Sequence, residues 1–308
     1  MRIPWRFVAI RFLGSAAALF AAISMVFVIL HFSGDPAARF IPDDATAAEA
    51  AEISRTLGYD QPLLQQYLRF LGDTLTGNFP VSLQYGEDPL TLVGRNLPVT
   101  LELAAAALVA GSVLGLGVGY VCAMSKRRPV RRVIMAVLMV GQSVPAFWLG
   151  IVLVLLFSVR LGWFPATGSR RLEHLVLPTL TLAAVLAAPL ARLFRTTLLE
   201  TAQQDHVRTA LAKGLPERVV IARHVVGNSL VPAITLIAMQ AGALLGGVVV
   251  IEAVFARPGV GQLTVNALTS RDYPVVLGCL VVLACGFIVV NLVADLVHGL
   301  LDPRVRTS

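Results

Sequence analysis

Most side chains able to do chemistry in this chain sit at the edges of long apolar runs. The five histidines (31, 174, 206, 224 and 298) show none of the spacing that a metal site requires. Three cysteines, Cys122, Cys279 and Cys285, lie in or beside apolar runs and read as free thiols, because a disulfide framework or thiolate site needs paired spacing near water. Ser143 with a histidine would suggest a nucleophile and its base. Its context, Gly141-Gln142-Ser143-Val144-Pro145, lacks the closing glycine of a nucleophile elbow, and the histidines fall near the run ends while Ser143 lies deeper. No Gly-Lys dipeptide occurs, so no phosphate-cradling loop can be assembled. The chemistry left is hydrogen bonding and charge. Gln142, Ser143 and Gln240 lie within apolar runs, where an amide or hydroxyl must face protein or water. They suit either a polar passage or bonds between helices. The acids Glu102, Glu252 and Asp295 invite a proton-relay reading, but acids near an interface are also often structural.

The elements that position these groups follow from composition. The chain has 308 residues, 56% hydrophobic and 14% charged, against roughly 45–50% and about 25% in soluble domains. A globule of this size needs more charge on its surface, so the chain is an integral membrane protein. Disorder and collagen-like or disulfide-stapled folds are excluded by the same figures. The net charge of +7 is distributed in short blocks between apolar runs, as topology determinants are, rather than in a nucleic-acid patch.

A span needs about 20 apolar residues, and six stretches qualify: about Phe12–Phe32, Pro98–Met124, Val133–Val159, Leu175–Phe194, Ser229–Ile251 and Val275–His298. The first is longer than a signal-peptide core and has no convincing cleavage site after it, which favours a retained span. Sixteen Lys and Arg against four acids fall on the side holding the N-terminus, residues 125–132, residues 192–228 and the C-terminal tail; the other side has nine against eleven. The positive-inside tendency makes the first side cytoplasmic, with both termini there. The long 33–97 segment on the other side carries Leu63, Leu64, Tyr67, Leu68 and Leu71 at helical spacing, with turns expected at Gly58, Gly77-Asn78 and Gly86. It reads as one or two short external helices, either a docking surface or packing for the span ends.

Residues 192–228 are too polar to span. Val207, Ala210, Leu211, Gly214 and Leu215 share one helical face. Gly214 supplies a C-cap, and Pro216 stops this helix and opens another over about Glu217–Val226. The expectation is a short helix–turn–helix between spans four and five. Pro145, Pro178, Pro189 and Pro232 permit kinks in spans. Gly111, Gly115 and Gly119 have small-xxx-small spacing, suited to close helix approach within the chain or with a second subunit.

The run Asp205-His206-Val207-Arg208-Thr209-Ala210-Leu211-Ala212-Lys213-Gly214-Leu215, continued by His224, Asn228 and Pro232, resembles the cytoplasmic "EAA" loop of ABC importer permeases of the dipeptide/oligopeptide branch. Further stretches resemble the same branch in the same order: Gln61-Pro62-Leu63 with Gln66-Tyr67, Leu97-Pro98 with Thr100-Leu101-Glu102-Leu103, Ser143-Val144-Pro145-Ala146-Phe147-Trp148, Pro258-Gly259-Val260-Gly261, Arg271-Asp272-Tyr273-Pro274, and Asn291 to Asp302-Pro303-Arg304. His206 stands where the branch usually has Tyr, Leu211 and Gly227 where Arg is common, and the 161–174 segment is short.

The resemblance implies an all-α, six-helix type I ABC importer permease fold. It divides into an N-terminal helix with an extracytoplasmic segment (1–95), a five-helix transmembrane domain (96–302) with its coupling loop at about 196–228, and a cytoplasmic tail (303–308). It implies no catalytic residue, metal or cofactor in the chain itself; ATP and Mg would be used by two cytoplasmic ATPase subunits, alongside a second homologous permease subunit and an extracytoplasmic solute-binding protein, with membrane lipid and no nucleic acid. Asp205, Thr209, Ala210, Lys213, Gly214, Leu215, His224 and Asn228 would form the ATPase-coupling loop, with Gln142, Ser143 and Gln240 as candidates for the translocation pathway. The branch default cargo is a di- or oligopeptide; nickel, haem or another small solute is the alternative. An ion-coupled secondary transporter would show repeats and midplane charges, which this sequence does not display.

Overall fold

The computed structural model describes residues 60–301 except 83, 126 and 170, together with scattered positions between 13 and 55. Gly58, Lys126, the tail from 303 and part of the first expected span lie outside the described residues; those described between 13 and 28 are mostly helical. Among the described residues every regular element is a helix. Four helices among the described residues are long and apolar enough to cross a membrane, five if one bent pair counts as a single span.

In chain order, α1 is the expected amphipathic helix, Leu63–Thr76. Gly77 closes it at φ +73°, with Asn78 N–H donating to the Asp73 carbonyl at 2.8 Å, the bond that satisfies the last free carbonyls of a helix. Helix α2 runs over Pro89–Met124 and so begins nine residues before the expected Pro98, which lies inside it. Asp88 explains the early start: its carboxylate accepts from Thr91 N–H at 2.9 Å, an N-cap followed by proline at the first helical position.

The expected third span is not one straight helix. Helix α3, Arg128–Ser143, and α4, Ala146–Leu153 with a π-helical continuation Val154–Arg160, meet at 109°. Pro145 forces its predecessor out of the helical region, and Val144 sits at φ −89°, ψ 129°. The sequence allowed a kink here, and the chain makes a right-angle break.

Helix α5 spans Glu173–Thr201 and contains Pro178 and Pro189. Helix α6 is Asp205–Ala212. Helix α7 is continuous from Glu217 to Val254, with Val220–Val226 wound as a π-helix. The separate helix expected over Glu217–Val226 is therefore the beginning of the fifth span. Helix α8, Val260–Thr269, was not expected; α9 is Tyr273–Leu301.

The chain forms two compact units. The larger comprises residues 96–262 and those from 286 onward. Its core joins Leu103 and Ala107 of α2, Leu177, Leu182 and Leu186 of α5, and Leu244, Val248 and Ile251 of α7. Lipid tails are as apolar as leucine, so helices in a membrane gain from close approach rather than from hiding apolar surface. The small-residue stripe of α2 provides that approach. A Cβ on Gly111 would stand 2.8 Å from Leu186 Cβ, one on Gly115 2.9 Å from Leu190 Cβ, and one on Gly119 2.8 Å from the Ala191 carbonyl. The stripe packs within the chain, against α5.

The smaller unit comprises residues 5–95 and 263–285. In it Asp272, 4% exposed, accepts the Ser82 hydroxyl at 2.5 Å, and Ser82 Oγ accepts Tyr85 N–H at 2.9 Å. These bonds fix the turn that ends at Gly86, where φ is +65°.

Candidate coupling element and polar groups of the spans

Helix α6 has eight residues, too few to be stable alone. It is held by its neighbours. Val207 and Ala210 are buried in a cluster with Leu190, Phe194 and Leu198 of α5 and Val220, Val225 and Ala233 of α7. The expected apolar face is thus divided: Leu211 and Leu215, 47% and 40% exposed, point away from the cluster, as does Val219. Asp205 opens the helix in the position its dipole favours and lies 3.7 Å from the largely exposed Arg208. The Thr209 hydroxyl donates to the Asp205 carbonyl at 2.9 Å.

Lys213 is the exposed C-cap residue. Gly214 follows at φ +78°; its N–H donates to the Leu211 carbonyl at 2.9 Å, and Leu215 N–H reaches the Ala210 carbonyl at 3.4 Å. Asn228 joins the two sides of the turn. Its amide donates to the His224 carbonyl at 2.6 Å and lies 3.4 Å from Nε2 of His206. The residues expected to form a coupling loop lie on α6, the Gly214 turn and the start of α7, and His206, where the resemblance has Tyr, is joined to Asn228.

The three pathway candidates are not gathered in one cluster. Gln142, at the end of α3, accepts from Arg192 of α5. Gln240 of α7 donates to the Leu186 carbonyl of α5 at 3.3 Å. These anchor points are six residues apart, about 9 Å along α5. Ser143 is the last residue of α3, at the break. Both amides thus serve as bridges between helices. Arg192 escaped the sequence reading because it was counted with the polar segment, whereas α5 continues to Thr201.

Glu102 and Glu252 are built into a polar knot. Glu252 is fully buried and accepts Gly261 N–H at 2.7 Å, while the Thr100 hydroxyl accepts Val260 N–H at 2.8 Å. Two of the otherwise unsatisfied N–H groups at the start of α8 are met in this way by α7 and α2. Ala256, held at φ +45°, turns the chain so that Arg257, 1% exposed, pairs with Glu102 at 2.5 Å. Gly259 presses against the Glu252 carboxyl so closely that a Cβ there would lie 2.1 Å from Oε1. Glu102 and Glu252 thus have structural bonds. The side chain of Asp295 lies outside the described residues. Sequence reasoning gave Arg257 no role and quoted Thr100 and Pro258-Gly259-Val260-Gly261 only for their resemblance; the paired glycines were the signal that could have pointed to a close backbone approach.

Comparison with known proteins identifies the family of the chain. Residues 115–307 match the family "Binding-protein-dependent transport system inner membrane component", and residues 4–104 match the N-terminal family of the same membrane components. The glutathione transport system permease protein GsiC of Escherichia coli K12 is 35% identical over 297 residues, covering 96% of this chain and 97% of that protein. GsiC of Shigella flexneri serotype 5b is similar to the same extent, at 35% over the same shares of both chains. Among solved structures, an inward-facing MetNI methionine ABC transporter covers 68% of this chain and 96% of its own, with a TM-score of 0.57 and 20% identity. An amino acid ABC transporter crystallised with histidines covers 70% of this chain and 94% of its own, with a TM-score of 0.54 and 16% identity. The chain is a multi-pass protein of the inner membrane and belongs to the family of inner membrane components of binding-protein-dependent transport systems.

Proposed function

We propose that the chain is a permease subunit of an ATP-driven importer that carries di- or oligopeptides across the inner membrane. It would cross the membrane six times, with both termini in the cytoplasm. Its partners would be a second homologous permease subunit, two cytoplasmic ATPase subunits that use ATP and Mg, and an extracytoplasmic solute-binding protein. The peptide cargo is supported by the similarity to GsiC, named for glutathione transport, since glutathione is itself a small peptide.

The observation that carries the reading is the double attachment of α6. Val207 and Ala210 join the ends of α5 and α7 in one cluster, while Leu211 and Leu215 offer apolar surface outward. A subunit that grips α6 would move two membrane helices together. In this reading Asp205, Thr209, Ala210, Lys213, Gly214, Leu215, His224 and Asn228 form the coupling loop. Closure of the ATPases favours one arrangement of the spans, and ATP use drives the exchange between two states of different affinity for the partners. Gln142, Ser143 and Gln240 are proposed to border the path, with Gln142 held in place by Arg192.

The test is uptake of a labelled dipeptide mixture, and separately of glutathione, into vesicles containing the assembled transporter. Uptake that requires ATP and binding protein is the expected result. Uptake by this chain alone, driven by a proton gradient, would sink the proposal. An active ATPase complex that ignores peptides but takes up nickel or haem would refute the cargo alone.

A further inference from the structure

Helix α1 does not sit where an aqueous docking helix should. Its Tyr67 ring packs edge-on against Phe27 with centroids 5.2 Å apart and approaches Phe20 at 6.5 Å, and Phe70 packs on Phe27 at 5.2 Å. The Tyr67 and Ser24 hydroxyls are bonded at 2.6 Å. Ser24 is the thirteenth of the 21 residues in the expected span Phe12–Phe32. At 1.5 Å per residue, Tyr67 is level with a point about 12 Å inside the near end of that span. Among the described residues, α1 meets this segment at Phe20, Ser24 and Phe27.

The remaining surface of α1 is sorted accordingly. At 100° per residue, Tyr67, Phe70, Leu71 and Thr74 cover the packed arc. Beside it lie Leu64, Leu68 and Leu75, which are 67%, 57% and 68% exposed. The polar arc opposite carries Gln65, Arg69, Asp73 and Thr76, with Arg69 and Asp73 paired at 3.9 Å. The first apolar segment is also bare at Phe20, Met25 and Val28. Bare apolar side chains at the level of an apolar span meet acyl chains, and a helix with one apolar and one polar arc lies in the interface plane.

We infer that α1 is a lipid-embedded interfacial helix, with Leu64, Leu68 and Leu75 among the acyl chains of the outer leaflet and Gln65, Arg69 and Thr76 turned to headgroups and water. The inference rests on the reading of the first apolar segment as a span, so its test includes that segment. Single cysteines at 64, 68 and 75, at 65, 69 and 76, and at Met25 are spin-labelled in the assembled transporter in lipid vesicles, with Cys285→Ser and the partner cysteines replaced. Cys122 and Cys279 are buried.

Collision with oxygen is expected to exceed collision with a water-soluble nickel chelate at 64, 68, 75 and 25, and to fall below it at 65, 69 and 76. Higher nickel than oxygen access at the three leucine positions, with Met25 lipid-facing, would overturn the inference and restore a water-facing docking helix. Loss of access to both reagents there would overturn it in favour of a protein partner. Water access at Met25 would overturn the span and the inference together. Labels at 65 and 69 that behave as at 68 would refute the assigned orientation.

Discussion

Gly214 offers a graded test of the coupling turn. Its φ of +78° is open to glycine but strained for other residues, and a Cβ added there would meet nothing within 4 Å. Bulk is therefore not the obstacle; only backbone conformation is. Alanine in this region costs about 1–2 kcal/mol, and 1.4 kcal/mol corresponds to roughly a tenfold shift between the formed and opened turn. Asparagine tolerates the left-handed region and costs less. Proline cannot reach the angle and removes the N–H that bonds the Leu211 carbonyl at 2.9 Å, a loss of about 3 kcal/mol or more. In reconstituted vesicles, solute imported per ATP hydrolysed is expected to fall in the order Gly214→Asn, Gly214→Ala, Gly214→Pro. The alanine variant should lose between about fivefold and roughly thirtyfold while the complex still assembles. Alanine equal to wild type would refute the argument. So would asparagine as damaging as proline, because that would make the missing side chain, and not the angle, the requirement.

Three further outcomes follow from the packing. Glu102→Gln leaves the buried guanidinium of Arg257 without its paired charge, a loss bounded above by about 3–5 kcal/mol for a buried pair and reduced because Glu102 is half exposed. Arg257→Met/Glu102→Gln should restore part of the heat resistance of the detergent-purified complex, and a double variant worse than Glu102→Gln would contradict the pairing. Gly259→Ala places a methyl against the Glu252 carboxyl and should reduce the amount of assembled complex on native gels, whereas Gly246→Ala, which meets nothing within 4 Å, should not. A membrane-permeant maleimide should spare the buried Cys122 and Cys279 in the folded chain and modify both once the chain is unfolded in detergent; rapid modification of Cys122 in the folded chain would mean that α2 is not packed as described.

Much of the fold was legible because its determinants are local. The Gly214 cap, α1 and its Gly77 stop, and the apolar cores of four long helices are each carried by a few adjacent residues. The start of α2 was also legible in Asp88-Pro89-Leu90-Thr91, yet hydropathy drew attention to the apolar run that begins later. The remainder depends on distant partners. Pro145 announces a disturbance, but its size is decided by what α3 and α4 pack against. Pro216 was expected to open a separate helix, and nothing in Glu217–Val226 indicates that the helix continues unbroken into the membrane. The polar amides of Gln142 and Gln240 required partners, and only the fold assigns them to Arg192 and Leu186. Glu252 illustrates the limit most directly: a lone intramembrane acid suggests proton chemistry, but its carboxylate serves the N-terminus of a helix that periodicity did not disclose.

The continuity of α7 gives it the mechanics of a shaft clamped at both ends. Its 38 residues measure about 57 Å, nearly twice a hydrocarbon core of about 30 Å. One end is fastened by the packing of α6 and the contact of Asn228 with His206, the other by Glu252 and the start of α8. A tilt of 5° about its centre would sweep each end through roughly 2.5 Å, enough to break hydrogen bonds at both fastenings. A shaft held in this way yields where its internal ladder is weakest. Those places are the π-helical turns at Val220–Val226 and the missing donor at Pro232, both close to the α6 fastening. Motion imposed at α6 would therefore bend α7 first at those turns, and the half ending at Glu252 would tilt as one piece.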